Sequence, residues 1–425
     1  MTNKFRTADD AVKIVQSGDR IFIQGSAATP NVLLKSLFKR KNELKRVELV
    51  SISTIGDDIF KPSDIGDSFF VNSLFVSKNV REIVNTVHGE YVPVFLSEIP
   101  LLFQNNILPI DVAFIHLSPP DKHGYCSLGT SVDTVRSAIK SAKHVIAQVN
   151  KQMPRTHGDG LIHVDTIHSL VEIDEALPEV SYSKKMDENS LTIGKYCAEL
   201  IEDGSTLQMG IGAIPDAVLS CLNNHKDLGV HTEMFSDGVI PLVKNGVITN
   251  KYKVRDRGRI VTGFVIGTKE LYNFVDDNPL VSFLDIDYVN DTSVIRTNPK
   301  VVAINSAIEI DITGQICSDS IGMYQYSGVG GQMDFMRGAA LSKGGKPIIA
   351  LKSTTKEGNS KIVPFLKQGA SVATTRAHVH YVVTEYGVAY LFGKNLQQRA
   401  NALLNITHPK HREELEKEIF KRFGG

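Results

Sequence analysis

The chain has 425 residues, 42% of them apolar and 22% charged. That is the balance of a globular protein long enough for two domains, since single cores stop growing near about 250–300 residues. Its 47 basic side chains equal its 47 acidic ones, which leaves no net electrostatic footprint for nucleic acid and restricts any phosphate-binding patch to a local one. No apolar run reaches the roughly 18 residues of a membrane helix, and the N-terminal stretch lacks the apolar core of a secretory signal. Cys126, Cys197, Cys221 and Cys317 form no C-x-x-C pair. The expectation is a cytoplasmic chain with free thiols, no disulfide framework and no metal site.

In chain order, Arg20-Ile-Phe-Ile-Gln is a short apolar run, and Asn31-Val-Leu-Leu-Lys-Ser-Leu-Phe has the apolar spacing of a helix. Val145-Ile-Ala-Gln-Val reads as a buried strand. Thr206-Leu-Gln-Met is again apolar and leads into Gly210-Ile-Gly-Ala-Ile-Pro215, with a helix over Asp216-Ala-Val-Leu-Ser-Cys-Leu. Pro347-Ile-Ile-Ala-Leu and Tyr381-Val-Val read as buried strands, and the charged stretch from His411 to Arg422 as a helix with a solvated face. Such alternation predicts α/β layers on a largely parallel sheet.

The sequence repeats itself. Residues 25–37 read GSAATPNVLLKSL and residues 210–222 read GIGAIPDAVLSCL. Gly25, Ala28, Pro30, Leu34 and Leu37 recur as Gly210, Ala213, Pro215, Leu219 and Leu222, each copy following an apolar strand. A second pair follows in the same order: Asp121-Lys-His-Gly-Tyr-Cys126 and Asp311-Ile-Thr-Gly-Gln-Ile-Cys317. Two matches at similar offsets predict an internal duplication. The halves would be 1–190 and 191–425, joined in the polar stretch 181–190.

Five segments could carry chemistry. Leu228-Gly-Val-His-Thr-Glu233-Met-Phe-Ser-Asp-Gly238 places a carboxylate inside an apolar run, which is costly unless the group is paired or used. A strand-end glutamate facing water, or one bonded to backbone amides, explains the segment equally well. Gly328-Val-Gly330-Gly331 is glycine-dense, either as a tight turn or as a loop whose amides converge on an anion. Gly210-Ile211-Gly212-Ala213-Ile214 lies between a strand and a helix, where free amides favour a phosphate. A G-x-G-x-x-G dinucleotide fingerprint is absent. Asn305 and Glu385 each end an apolar run, the position where sites form in α/β sheets. His116, His123, His157 and His163 show no metal spacing. No G-x-S-x-G elbow and no Walker motif occurs.

Taken together, these segments resemble the acetyl-CoA hydrolase/transferase family, and most closely its 4-hydroxybutyrate CoA-transferases. The likeness runs from Gly25 through Ser118–Gly129, Gln152–Gly158, Gly210–Pro215, His231–Gly238, Asp287–Asp291 and Gly328–Gly331 to Glu385–Ala389. It implies two similar CoA-transferase-type α/β domains meeting at a cleft. It also implies a CoA-transferase that exchanges CoA between a short-chain acyl-CoA and a free carboxylate, with 4-hydroxybutyrate or butyrate and acetate as the expected acids. Glu233 would become a glutamyl-CoA thioester, and Gly330 and Gly331 would supply the oxyanion hole. Asn305 and Glu385 would line the acyl site, and Gly210 to Ile214, Ile308, Gly328 and Gly331 would contact CoA. No permanently bound cofactor is implied, since CoA is a substrate, and the family resemblance favours a homodimer or larger homo-oligomer. Hydrolysis of acyl-CoA on the same skeleton and non-catalytic CoA binding are the alternatives.

Overall fold

The apolar runs of the N-terminal half become seven strands: β1 (Arg20–Ile23), β2 (Val47–Ser51), β3 (Phe69–Ser73), β4 (Gly89–Tyr91), β5 (Val112–Leu117), β6 (His144–Asn150) and β7 (Ser169–Ile173). The computed structural model describes residues 4–56, 60, 65–181, 186–210 and 212–424. All seven strands pair in parallel, in the order β7-β6-β5-β1-β2-β3-β4. Every residue of β5 is buried, as expected for the middle of a parallel sheet covered on both faces. Helix α1 (Asn31–Phe38) covers one face. Its Leu33, Leu34 and Leu37 join Ile21, Ile23, Leu49 and Phe114 in one apolar core.

The C-terminal half builds its own sheet from β8 (Thr206–Met209), β9 (Gly229–Val230), β10 (Val301–Asn305), β11 (Lys346–Ala350), β12 (Tyr381–Thr384) and β13 (Gly387–Tyr390). The order is β9-β8-β10-β11-β12-β13, parallel throughout except for the last pair. Around it lie α2 (Glu188–Leu200), α3 (Ala213–Ser220), α4 (Gln332–Leu341) and α5 (Pro409–Phe423). A second core gathers Ile310, Ile349, Val382, Leu403 and Leu415. Helix α5 buries only Leu415 and Ile419, in keeping with its charged sequence. The helix expected from Asp216 starts three residues earlier, at Ala213. Pro215 falls in its first turn, where a missing N–H costs nothing.

By internal contacts the first unit comprises Met1–Val180, Val261–Val289 and Gln325–Gly330, and the second Ser181–Ile260, Asn290–Tyr324 and Gly331–Gly425. Of the polar stretch at 181–190, residues 182–185 lie outside the described residues.

The duplication holds at the level of register. Strands β7-β6-β5-β1-β2 of the first sheet have the order of β12-β11-β10-β8-β9 in the second. Ile21 lies opposite Leu49 and Val112, and its counterpart Thr206 lies opposite Gly229 and Val301. Gly25 and Gly210 therefore occupy the same strand-to-helix turn. The aspartate turns also match bond for bond. Asp121 Oδ1 accepts from the backbone N–H of His123 (2.8 Å) and Tyr125 (2.9 Å), and Gly124 has φ +83°. Asp311 Oδ1 accepts from Thr313 (2.9 Å) and Gln315 (2.9 Å), and Gly314 has φ +94°. Only glycine adopts that left-handed conformation at no steric cost.

One difference separates the copies. Four residues beyond the register partners Leu49 and Gly229 stand Ser53 and Glu233, respectively. In the first unit the Ser53 carbonyl closes on the glycine turn: Ser26 N–H donates to it at 2.7 Å, and an added Cβ at Gly25 would strike it. In the second unit an added Cβ at Gly210 finds its nearest atom 3.9 Å away, and one at Gly212 finds nothing within 4 Å.

Candidate active site

Parallel pairing brings the carboxyl ends of β9, β8, β10, β11 and β12 to one edge of the second sheet, the edge where α/β sheets form their sites. Along it stand Glu233 after β9, Gly210 and Gly212 after β8, Asn305 as the last residue of β10, Ser353 after β11 and Glu385 after β12.

The segment carrying Glu233 is anchored on both sides. The Thr232 hydroxyl reaches the carbonyls of Met209 (3.2 Å) and Met234 (2.9 Å), tying the segment to the end of β8. Ser236 Oγ donates to Asp216 Oδ1 on α3 at 2.9 Å. Between these anchors Glu233 Oε2 accepts a hydrogen bond from Asn290 Nδ2 at 3.2 Å. The same Nδ2 donates to Asp334 Oδ2 at 3.0 Å. Asn290 and Asp334 are both buried, and Asp334 sits in the first turn of α4. Glu233 keeps some exposed surface, yet its carboxyl is crowded by protein atoms. Burial pushes its pKa up to about 7; the Asn290 bond opposes that rise and the Asp334 charge adds to it.

Gly331 caps α4 with φ −95°, a conformation open to any residue. The space is what demands glycine: a Cβ there would overlap Glu233 Oε2 and Asn290 Nδ2. At Gly212 the demand is conformational instead, with φ +126° and open space where a side chain would project. Gly212, Ala213 and Ile214 are all partly exposed, at a helix start whose first amides have no partner within the helix. Ile211 lies outside the described residues.

The remaining expected positions divide. Asn305 Nδ2 donates to Gln208 Oε1 at 3.0 Å. Glu385 accepts from Ser353, by its N–H at 2.9 Å and its hydroxyl at 2.6 Å. Ile308 is partly buried and its N–H donates to the Cys317 carbonyl at 2.9 Å. Gly328 and Gly330 belong to the first unit, where Gly328 packs on Phe75 and the Gly330 carbonyl accepts from Leu96 N–H at 3.0 Å. The structure thus joins Glu233 directly to Gly331, and places Asn305 and Glu385 on the same sheet edge with partners of their own. Sequence reasoning assigned no role to Asn290, Asp334, Gln208 or Ser353. Two signals were available: Asn290 lies in the Asp287–Asp291 segment that carries the family resemblance, and Asp334 stands three residues past a glycine at the start of a helix.

All four cysteines are free thiols, and burial pushes those of Cys126 and Cys197 up to about 12, which keeps them protonated and unreactive. Among the described residues no His, Cys, Asp or Glu cluster is arranged to hold a metal, and no helix is long and apolar enough to cross a membrane.

A buried, anchored carboxylate packed against a glycine has the placement of a nucleophile. Comparison with known proteins gives the family. Residues 1–180 match the acetyl-CoA hydrolase/transferase N-terminal domain and residues 267–419 its C-terminal domain. A succinyl-CoA:acetate/propanoyl-CoA:succinate CoA transferase of Fasciola hepatica is 53% identical over 419 residues, 97% of this chain and 87% of that protein. A 4-hydroxybutyrate coenzyme A transferase of Clostridium kluyveri is 50% identical over 421 residues, 99% and 98% of the two chains. The crystal structure of a 4-hydroxybutyrate CoA-transferase from Porphyromonas gingivalis superposes with a TM-score of 0.85 at 39% identity, covering 99% of this chain and 98% of that one. The chain belongs to the acetyl-CoA hydrolase/transferase family.

Proposed function

We propose that this protein is a CoA-transferase that exchanges CoA between a short-chain acyl-CoA and a free carboxylate by a ping-pong route through a glutamyl-CoA thioester on Glu233. The observation that carries the reading is the Glu233 carboxyl, buried, anchored and seated against Gly331 at the carboxyl edge of the second sheet. The Glu233 carboxylate attacks the acyl-CoA carbonyl, the C–S bond breaks, and CoA leaves as a thiolate, giving a mixed anhydride. The thiolate then attacks the Glu233 carbonyl carbon and the acyl group departs as its carboxylate. An incoming acid reverses both steps and leaves as the new acyl-CoA, while Glu233 is restored. One thioester replaces another, so no external energy is consumed.

Each attack develops an oxyanion. The amides of Gly330 and Gly331 are proposed to stabilise it, a contribution on the order of 10²–10³ in rate per donor. The Gly210–Ile214 turn, Ile308 and Gly328 are proposed to contact CoA, and Asn305 and Glu385 to line the acyl pocket. The exchanged acids are proposed to be 4-hydroxybutyrate or butyrate with acetate, and the names of the relatives add succinate and propanoate to the panel. Acyl-CoA donors assayed against these acids test the reading. The expected result is new acyl-CoA formed only with an acceptor present, with parallel double-reciprocal lines. Release of free CoA at the same rate without acceptor would make the protein a hydrolase instead.

The raised Glu233 pKa fixes a second outcome. Attack requires the carboxylate, so kcat/KM should fall along an acid limb centred near pH 7, and be about 100-fold below its plateau at pH 5. An ordinary exposed glutamate would place that limb between pH 4 and 5. A pH–rate profile distinguishes the two.

A further inference from the structure

We propose that Asn290 and Asp334 are positioning residues for Glu233, the amide fixing its orientation by a shared hydrogen bond and the second carboxylate setting its ionisation by its charge. The inference rests on Glu233 being the nucleophile.

Asn290 Nδ2 carries two hydrogens and faces two carboxylates, Glu233 Oε2 at 3.2 Å and Asp334 Oδ2 at 3.0 Å. Its Oδ1 is buried without a hydrogen-bond partner. Turning the amide over would set that oxygen against both carboxylates, so the clamp has one stable orientation. The first turn of α4 favours an acid at Asp334, but a buried carboxylate beside the nucleophile is costly through like-charge repulsion. The chemistry turns that cost to use. Acylation of Glu233 removes its charge in both the anhydride and the thioester, so repulsion from Asp334 is relieved as each covalent state forms. Repulsion in the free enzyme also makes Glu233 more basic, and a more basic carboxylate is a stronger nucleophile. Asn290 limits that effect by bonding the ionised form and keeping Oε2 aimed.

His231, two residues upstream, has its ring 6.3 Å from that of Phe335 on α4. The Asp237 charge acts on Asp216. The Asp334 charge acts on Glu233 and raises its pKa.

The test compares wild type, Asp334→Asn and Asn290→Ala by pH–rate profile, circular dichroism and borohydride trapping with acyl-CoA. Asp334→Asn is isosteric and keeps an oxygen for Asn290 to bond while removing the charge, so its acid limb should move below the wild-type position. Asn290→Ala removes the donor, so its limb should move above it, with plateau kcat/KM lower by about tenfold from the lost alignment. A merely structural pair would leave both limbs in place. Unmoved limbs, or limbs moving the same way, overturn the inference. If Asn290→Ala does not fold, the Asp334→Asn limb decides alone. Trapping in the wild type separates the two layers. No label on Glu233 defeats the mechanism itself, whereas label on Glu233 with unmoved limbs defeats only the role of Asn290 and Asp334.

Discussion

Glu233→Ala is expected to abolish CoA transfer, a loss on the order of 10⁴-fold or more in kcat, because the covalent route has no other carrier on that segment. Glu233→Asp should lose about 10²-fold, since one methylene fewer withdraws the nucleophile by roughly 1 Å. Glu233→Gln should be nearly as inactive as alanine, with activity returning only as the amide hydrolyses. Incubating wild type with acyl-CoA and then borohydride should reduce the thioester to an alcohol, and peptide mass spectrometry should place it between His231 and Asp237. Label on Glu98, Glu309 or Glu385 would move the nucleophile without changing the reaction class; transfer without any labelled glutamate would end the ping-pong mechanism. Glu233→Gln carries a stability signature as well. A folded pKa of about 7 lies above the ordinary 4.5, so the native state gains from a protonated Glu233 below pH 4.5 and loses that gain as pH rises through 7. Above pH 7 the ionised, buried group costs roughly 3 kcal/mol relative to the unfolded chain. The neutral amide should therefore melt higher than wild type at pH 8 and converge with it near pH 4.

Gly331→Ala is expected to reduce kcat by about 10²–10³-fold while circular dichroism stays native. The backbone at Gly331 suits alanine, with φ −95° and ψ 6°. The single added methyl would displace Glu233 Oε2 and Asn290 Nδ2, which lie at the centre of the proposed chemistry. Near-normal turnover in the folded variant would show that Glu233 has room to spare and that the close approach of Gly331 serves packing alone.

Much of the fold was legible because local chemistry dictates it. The aspartate turns at Asp121 and Asp311 need a left-handed glycine three residues on, so they recur intact and expose the duplication. A carboxylate in an apolar run marked Glu233, because burying it demands a reason. The carboxyl edge was legible from apolar runs that lead into Asn305 and Glu385. What the sequence did not reveal are contacts made over distance. Asn290 meets Glu233 across 57 residues and Asp334 across 44, and no periodicity announces such a meeting. Ser353 holding Glu385 belongs to the same class: its partner lies 32 residues away. The helix α3 begins three residues before Asp216, at Ala213, and Pro215, whose fixed φ suits a first helical turn, falls inside that turn.

The closed turn at Gly25 bears on how this chain divided its labour. The two turns share one register and differ in what closes them. In the first unit the carbonyl of Ser53, the position in register with Glu233, closes the turn at Gly25; in the second the turn at Gly210 has open space around it. A side chain introduced at Gly25 therefore strikes backbone and loads the folding of the chain, whereas one at Gly210 meets only ordinary contacts and would be felt, under the proposed function, in the grip on CoA.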